Sequence, residues 1–311
     1  MPNRSHYNSG HRAINYMRKN GINHSSTVSY KTPKKTYHGF FIEDSIKFLK
    51  KMPDSSVQLI LIDPPYNLDL TTWDTFENYM EWAEKWLVEI KRILSDNGNF
   101  VIFGGYQYQA IKKGDLLEIM HYLRHNTDLL FVNLIIWYYK SGMSAHRFFS
   151  NKHEEILWYA KTKKYYFDLD AVRMKYDEQT KNAYLKDKRL NPETVEKGKN
   201  PGNVWEIPRL HSNSKERVGH PTQKPLSVIR RLIKGLSYPG SIVMDFFAGS
   251  GTTGRVCIEE NRHSILVDND KTSLEYFNNH IDKMRIGKFT NEYEVEINPD
   301  LDMFLNKLKE D

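Results

Sequence analysis

The sequence has only one cysteine, no long apolar run and no residues at metal-binding spacing. Cys257 has no partner in the 311 residues, which excludes an internal disulfide and is typical of a reducing compartment. The strongest apolar stretch, residues 129–139, is interrupted by Asn133 and is far shorter than a bilayer-spanning helix. The histidines lack zinc spacing, and the N-terminus has no secretory apolar region. We therefore expect a soluble cytoplasmic protein that has no membrane segment and no resident metal.

Acidic residues are absent from the first 42 positions, which contain seven lysines and arginines. The whole chain has a net charge of +6, so this excess of positive charge is concentrated at one end. A basic arm over residues 1–36 can lie along phosphates and gain affinity by releasing counterions. A solvated tail with no binding role is the alternative.

An apolar run at residues 57–62 ends at Asp63-Pro64-Pro65-Tyr66. The run is short and β-branched, which predicts a buried strand, and the two prolines force the chain to leave the sheet. Ligands bind at such strand ends in open α/β sheets. The Asp63 carboxylate and the Pro64 carbonyl can accept hydrogen bonds from an amino group, and the Tyr66 ring can stack on a flat base. The motif predicts a site for a planar amino group, with an ordinary turn as the alternative.

A second motif, residues 245–254, follows the apolar run 241–244 and precedes a helical pattern. This order predicts a strand, a glycine turn and a helix. Gly249 and Gly251 permit positive φ and allow a ligand to approach the backbone, while the helix N-terminus supplies free N–H groups.

The next predicted strand, residues 264–267, ends at Asp268, whose carboxylate can hold the two hydroxyls of a ribose. These features predict a nucleoside cofactor. The loop also satisfies the G-x-G-x-x-G pattern of dinucleotide sites, so a nicotinamide-dependent oxidoreductase stays open. The amino-group site at Asp63 favours S-adenosylmethionine. An amino group bound there is a nucleophile that needs an electrophile to react with, and this cofactor carries an activated methyl group.

Together the two motifs resemble the beta group of amino-directed DNA methyltransferases, in which the Asp-Pro-Pro-Tyr site precedes the Phe-x-Gly-x-Gly loop. Further segments are similar to the RsrI-like adenine-N6 methyltransferases, among them residues 133–137, 153–156 and 217–225. This similarity covers nearly the whole chain and thins beyond about Arg285. The chain departs from the common pattern at Glu43 and at Phe246, but neither change removes a carboxylate or a glycine.

The resemblance implies methyl transfer from S-adenosylmethionine to N6 of a flipped adenine in double-stranded DNA. It also implies a GAATTC-type site, a homodimer and a restriction endonuclease partner that acts on the same site. Cytosine-N4 methylation is the nearest alternative, because the same clamp suits either amino group. Asp rather than Ser at position 63 favours adenine. A DNA-binding regulator that has the methyltransferase fold but no catalytic activity is an alternative from a different functional class.

The resemblance also assigns roles to individual residues. Catalysis is assigned to Asp63, Pro64, Pro65 and Tyr66. Cofactor binding is assigned to Asp44, Asp63, His220, Thr222, Lys224, Asp245, Phe247, Ala248, Gly249, Ser250, Gly251, Thr252 and Asp268. Lys224 is expected to pair with the cofactor carboxylate, and Asp44 is expected to lie near the adenine. Helix capping by Thr222 and by Asp44 stays open as the structural alternative.

These patterns predict an α/β fold: a Rossmann-like S-adenosylmethionine-dependent methyltransferase sheet with helices on both faces and an inserted target recognition region. Helical spacing from Tyr79 predicts a crossover helix that stops at residues 95–98, and further strands are expected at 100–103, 131–137 and 156–159.

The expected segments follow the motifs along the chain. They are the arm 1–36, a catalytic half 37–160, the target recognition region 161–219, a cofactor-binding half 220–285 and a C-terminal extension 286–311. The recognition region is assigned from its composition, because residues 161–219 contain fourteen lysines and arginines against nine acids. Its aromatic residues can either pack this region or contact bases.

Overall fold

A computed structural model describes residues 30–67, 74–106, 114–141, 145–147, 149–286 and 292–309. Most of the predicted arm therefore lies outside the described residues. The strands are β1 (Lys35–Ile42), β2 (Val57–Ile62), β3 (Leu94–Gly104), β4 (Leu130–Tyr138), β5 (His153–Ala160), β6 (Val204–Glu206), β7 (Ile242–Asp245), β8 (His263–Asp268) and β9 (Glu292–Ile297). The helices are α1 (Ser45–Lys51), α2 (Tyr79–Ile93), α3 (Leu116–Asn126), α4 (Glu178–Lys186), α5 (Pro192–Lys197), α6 (Leu226–Leu236), α7 (Thr252–Glu259), α8 (Thr272–Ile286) and α9 (Leu301–Lys307).

The described strands form a single mixed sheet in the order β6-β4-β5-β3-β2-β7-β8-β1-β9. β5 runs antiparallel to β3 and β4, and the other neighbouring pairs are parallel. The carboxyl ends of β1, β2, β3, β7 and β8 therefore meet at one edge of the sheet, the catalytic edge. The strands predicted around both motifs are confirmed.

Helices cover both faces of the sheet, as the sequence predicted. All six residues of β2 are buried, which requires apolar cover on each side. On one face, Ile60 and Ile62 pack with α1, α2, α3 and α9. On the other face, Leu59 and Leu61 pack with α6 and α7. None of the helices in the described part of the chain combines the length and the apolar composition of a bilayer-spanning segment.

The helix predicted from Tyr79 ends just before residues 95–98, where the sequence predicted that it stops. Helix α2 ends at Ile93, and β3 begins at the next residue, Leu94, which pairs with Val57 of β2. The register shifts between Val57 and Leu59, because Leu94 pairs with Val57 and Asn99 pairs with Leu59. The polar residues 95–98 of β3 therefore form a bulge, and the pairing with β2 continues beyond it.

The segment predicted as a C-terminal extension contributes to the sheet and to its core. β9 pairs in parallel with β1 at the sheet edge, and Phe304 of α9 is completely buried. Lys35, assigned to the phosphate-binding arm, is the first residue of β1 and forms an ion pair with Glu294 of β9. Lys35 therefore already has an anionic partner within the protein.

The region predicted to read the target is attached to the far edge of the sheet. β6 pairs in parallel with β4, and helices α4 and α5 precede it in sequence. Tyr165 and Phe167 pack against Trp158 of β5, and Tyr166 is buried. These aromatic residues pack the region onto the sheet, one of the two roles that the sequence left open.

Candidate active site

A cavity of about 610 Å³ opens at the catalytic edge, at the carboxyl ends of β2, β7 and β8. Its volume is in the range of small-molecule and cofactor sites. All the predicted catalytic residues line it, and so do all the predicted cofactor-binding residues except Gly251. They are Asp44, Asp63, Pro64, Pro65, Tyr66, His220, Thr222, Lys224, Asp245, Phe247, Ala248, Gly249, Ser250, Thr252 and Asp268. The two motifs, about 180 positions apart along the sequence, thus share one cavity.

Both carboxylate oxygens of Asp63 accept hydrogen bonds from the chain itself. The Tyr66 hydroxyl donates to Oδ1 at 2.7 Å, and the Lys224 ammonium donates to Oδ2 at 2.6 Å. The Tyr79 hydroxyl of α2 donates to the Pro65 carbonyl at 2.8 Å, which ties the turn to the helix that follows it. The Asp63 side chain is 25% exposed, so it faces the cavity from a fixed position.

Lys224 is nearly buried between two carboxylates. Its side chain is 10% exposed, and its Nζ lies 3.4 Å from Glu154 Oε2 as well as against Asp63. Burial opposes the charge of Lys224, but Asp63 and Glu154 raise its pKa above the ordinary value. Burial and the nearby carboxylates likewise raise the pKa of Tyr66. Lys224 therefore stays a cation, and Tyr66 keeps its proton as a hydrogen-bond donor.

Asp245, the last residue of β7, holds the glycine loop that follows it through two hydrogen bonds. Its Oδ2 accepts a hydrogen bond from the Thr253 hydroxyl at 2.7 Å, and its Oδ1 accepts one from the Phe247 N–H at 3.2 Å. Burial raises the pKa of Asp245 to about 7. The loop itself turns through Gly249 and Gly251, both at positive φ, as the sequence predicted.

Asp268, at the end of β8, connects its strand to the same loop. Its Oδ2 accepts the Gly249 N–H at 2.7 Å, and its Oδ1 accepts the Asp270 N–H at 2.9 Å. Burial raises the pKa of Asp268, and these two hydrogen bonds oppose the shift. A carboxylate has about four acceptor positions, so Asp268 keeps acceptor capacity for hydroxyl groups in the cavity.

Three aromatic side chains form an apolar wall of the cavity. Trp82 of α2 lies between Phe76 and Phe247, with ring centroids 4.5 Å and 5.5 Å away. The sequence pointed to Phe247 alone. Phe76 carries no local signal, and the helical spacing around Trp82 indicated only core packing.

Asp44 and Thr222 were each left between capping and ligand binding. Asp44 caps α1 by accepting the Lys47 N–H at 2.9 Å, and it also lines the cavity, so the two roles are compatible. Capping by Thr222 is wrong, because Pro225 occupies the N-cap position of α6. The Thr222 N–H instead donates to His220 Nδ1 at 3.3 Å, and burial lowers the pKa of His220.

Glu154 is a charged neighbour of this site, through its contact with Lys224, and the sequence gave it no role. It lies in the segment 153–156 that supported the resemblance, but nothing in the sequence brings it near position 63. Among the residues described, no cluster of three or more histidine, cysteine, aspartate or glutamate side chains has the geometry to hold a metal ion.

Comparison with known proteins gives a family and several relatives. Residues 57–279 match the N6/N4 family described as DNA methylase. Type II methyltransferase M.HpaI of Haemophilus parainfluenzae is 36% identical over 247 residues, which are 77% of this chain and 72% of the relative. Type II methyltransferase M.ScaI of Streptomyces caespitosus is 35% identical, over 75% and 76% of the two chains. DNA adenine methyltransferase YhdJ of Escherichia coli K12 is 32% identical, over 72% and 76%.

Two solved structures share the fold at low sequence identity. The PvuII DNA methyltransferase, described as cytosine-N4-specific, superposes with a TM-score of 0.59 at 19% identity and covers 89% of this chain and 95% of its own. TTHA0409 of Thermus thermophilus, solved in complex with S-adenosyl-L-methionine, gives a TM-score of 0.55 at 19% identity, covering 85% and 99% of the two chains.

Proposed function

Because this chain belongs to the N6/N4 family of DNA methylases, we propose that it transfers a methyl group from S-adenosylmethionine to N6 of adenine in duplex DNA. One observation carries the proposal: the Asp63 carboxylate and the glycine loop line the same cavity. The name of YhdJ and the aspartate at position 63 favour adenine over cytosine.

The cavity fits a nucleoside cofactor with a charged tail. Asp268 offers a carboxylate to the ribose hydroxyls, and Phe247 and Trp82 offer an apolar wall for a flat base. Gly249 leaves space beside His220, whose ring nitrogen would lie 3.4 Å from an added Cβ. When bound, S-adenosylmethionine supplies an electrophilic methyl group.

Asp63 and Pro64 act on the amino group that receives the methyl group. The lone pair of adenine N6 is delocalised into the ring, which makes it a poor nucleophile. Hydrogen bonds from its two N–H groups to the Asp63 carboxylate and the Pro64 carbonyl localise this lone pair and stabilise positive charge on nitrogen. Asp63 then holds the proton that the nitrogen loses, and the Tyr66 hydroxyl keeps its carboxylate in place through Oδ1.

Adenine N6 is inside the base stack of duplex DNA, so the target base must be flipped into the cavity at a cost of a few kcal/mol. The half-buried Tyr66 ring lines the cavity beside Asp63 and provides a surface on which the base can stack.

The wider assembly is proposed on the resemblance and on the relatives. M.HpaI and M.ScaI are named Type II methyltransferases, and we place this chain in a restriction-modification system with a cognate endonuclease. A GAATTC-type site, a homodimer, a cytoplasmic location and target reading by residues 161–219 belong to the same proposal.

The test is to incubate the protein with labelled S-adenosylmethionine and a panel of duplexes, and to identify the labelled nucleoside. N6-methyladenine is expected with the native protein and none with Asp63→Ala. Asp54→Asn is the matched control, because this exposed carboxylate precedes the other end of β2. The control should retain full activity. Label on cytosine would support N4 methylation, and duplex binding without turnover would support a regulator.

A further inference from the structure

Glu154 lies at the catalytic edge although its strand runs against its neighbours. Since β5 is antiparallel to β3, the first residues of β5 lie beside the last residues of β3, where Gly104 pairs with Glu155. Glu154 is the second residue of β5, so the reversal of this strand places a carboxylate beside the end of β2.

The Lys224 ammonium has two anionic partners at unequal distances. Its Nζ is 2.6 Å from Asp63 Oδ2 and 3.4 Å from Glu154 Oε2. Glu154 Oε2 is shielded from solvent and makes no hydrogen bond with any described residue, so it has free acceptor capacity directed at the ammonium. Glu154 is therefore a second anionic partner for this cation, at a slightly longer distance.

The proposed reaction requires Asp63 to change partners. Because the Tyr66 hydroxyl occupies Oδ1, we expect the amino group of the base to bind at Oδ2, the oxygen that now accepts from Lys224. A nearly buried ammonium that loses its counter-charge is strongly destabilised, which would oppose entry of the base. Glu154 supplies the replacement partner without leaving its place in the sheet.

The charge balance of the cluster leads to the same role. Asp63, Glu154 and Lys224 together carry one negative charge, which favours the positive charge that develops on the target nitrogen. Without Glu154 the two remaining charges cancel, and the Lys224 cation next to the nitrogen opposes that development.

We propose that Glu154 is a positioning residue for methyl transfer: it retains the Lys224 ammonium when Asp63 exchanges it for the amino group, and it keeps the cluster negative. This inference rests on the proposed function, since it needs an amino group that enters at Asp63. Glu154 acts through Lys224 and touches neither the base nor the cofactor.

The test compares Glu154→Gln, which removes the charge and keeps the shape, with Glu155→Gln. The control changes the same charge one residue further along β5, where the side chain points to the opposite face and pairs with His153. In single-turnover methylation, Glu154→Gln should lower the rate constant by about tenfold to a hundredfold. Its dissociation constants for S-adenosylmethionine and duplex DNA should change less than threefold. Glu155→Gln should stay within twofold in all three measurements.

Two further variants separate positioning from a structural role. Glu154→Asp keeps the charge and should recover most of the lost rate. In a Lys224→Met background, Glu154→Gln should cost less than twofold, because a residue that acts through Lys224 has no effect without it.

An unchanged rate in Glu154→Gln would refute the role. So would an additive loss in the Lys224→Met background, or a loss of cofactor binding as large as the loss of rate. If Glu154→Gln does not fold, Glu154→Met, alone and in the Lys224→Met background, removes the same charge and is judged by the same outcomes. Absence of N6-methyladenine with the native protein would contradict the proposed function, which is a separate result.

Discussion

Gly251 and Gly202 form a matched pair for measuring what the glycine loop requires. Both have positive φ, +74° and +72°, which L side chains rarely adopt. A Cβ at Gly251 would lie 2.7 Å from the Cβ of Phe277 and 3.0 Å from its Cα, whereas a Cβ at Gly202 meets nothing within 4 Å. No rotamer change relieves the contact at Gly251, because both atoms of Phe277 are fixed to the backbone of α8.

We therefore expect Gly202→Ala to cost about 1–2 kcal/mol of unfolding free energy, the cost of left-handed backbone for an L residue. Gly251→Ala carries the same cost and about 1–3 kcal/mol more, since α8 must shift to accept the methyl group. The shift also displaces Ser250 and Gly249, which line the cavity. Gly251→Ala should thus weaken S-adenosylmethionine binding by at least about tenfold, or about 1.4 kcal/mol, while Gly202→Ala should leave it unchanged.

Urea unfolding gives the two stability losses, and titration calorimetry gives the two affinities. Equal losses in the two variants would show that Phe277 does not restrict the loop. A destabilised Gly251→Ala protein with native cofactor affinity would show that the loop geometry is not what the cavity depends on. Either result would refute the reasoning.

Three further changes test other parts of the molecule. Burial raises the pKa of Asp245 to about 7, so its contribution to stability is full below about pH 4 and is lost as the pH rises through 7. Asp245→Asn should therefore reduce the difference between the unfolding free energies at pH 5 and at pH 8. An unaltered difference would contradict the raised pKa. Phe304→Ala should lower the unfolding free energy in urea by about 3–5 kcal/mol, because the Phe304 ring is completely buried. The control is Met303→Ala at the exposed neighbouring residue, which should cost less than about 0.5 kcal/mol. Similar losses in the two variants would mean that α9 is not part of the core. Deletion of residues 1–29 removes four basic residues and leaves Tyr30 stacked on Tyr238. The affinity for DNA should fall, and the slope of log K against log salt concentration should become shallower by up to about 0.9 per basic residue removed. An unchanged slope would mean that the arm does not contact DNA phosphates.

The central strands and the two motifs were predictable because their signals are local. An apolar run ended by two prolines defines β2, and an apolar run ended by a glycine turn defines β7 and α7. Parallel strands place their carboxyl ends together, so the common cavity followed from these two signals and a general rule of α/β sheets.

The features that could not be predicted from the sequence depend on contacts between residues that are far apart along the chain. β9 has glutamates at alternate positions and resembles a solvated segment until its pairing with β1 is known. The contact between Lys224 and Asp63 joins residues 161 positions apart. Glu154 reaches the site only because β5 is reversed, and no periodicity in one strand encodes the direction of its neighbours.

The place of β1 in the sheet has a consequence for synthesis on the ribosome. β1 pairs with β8 and β9, and the contact between His38 and Ser264 spans 226 residues. At a translation rate of about 5–20 residues per second, the first strand waits roughly 10–45 s for its partners to emerge. Throughout that time both of its edges expose unpaired backbone groups to other nascent chains. In the elongating polypeptide β1 therefore has neither of its sheet neighbours until β8 and β9 have been made and the sheet can close around it.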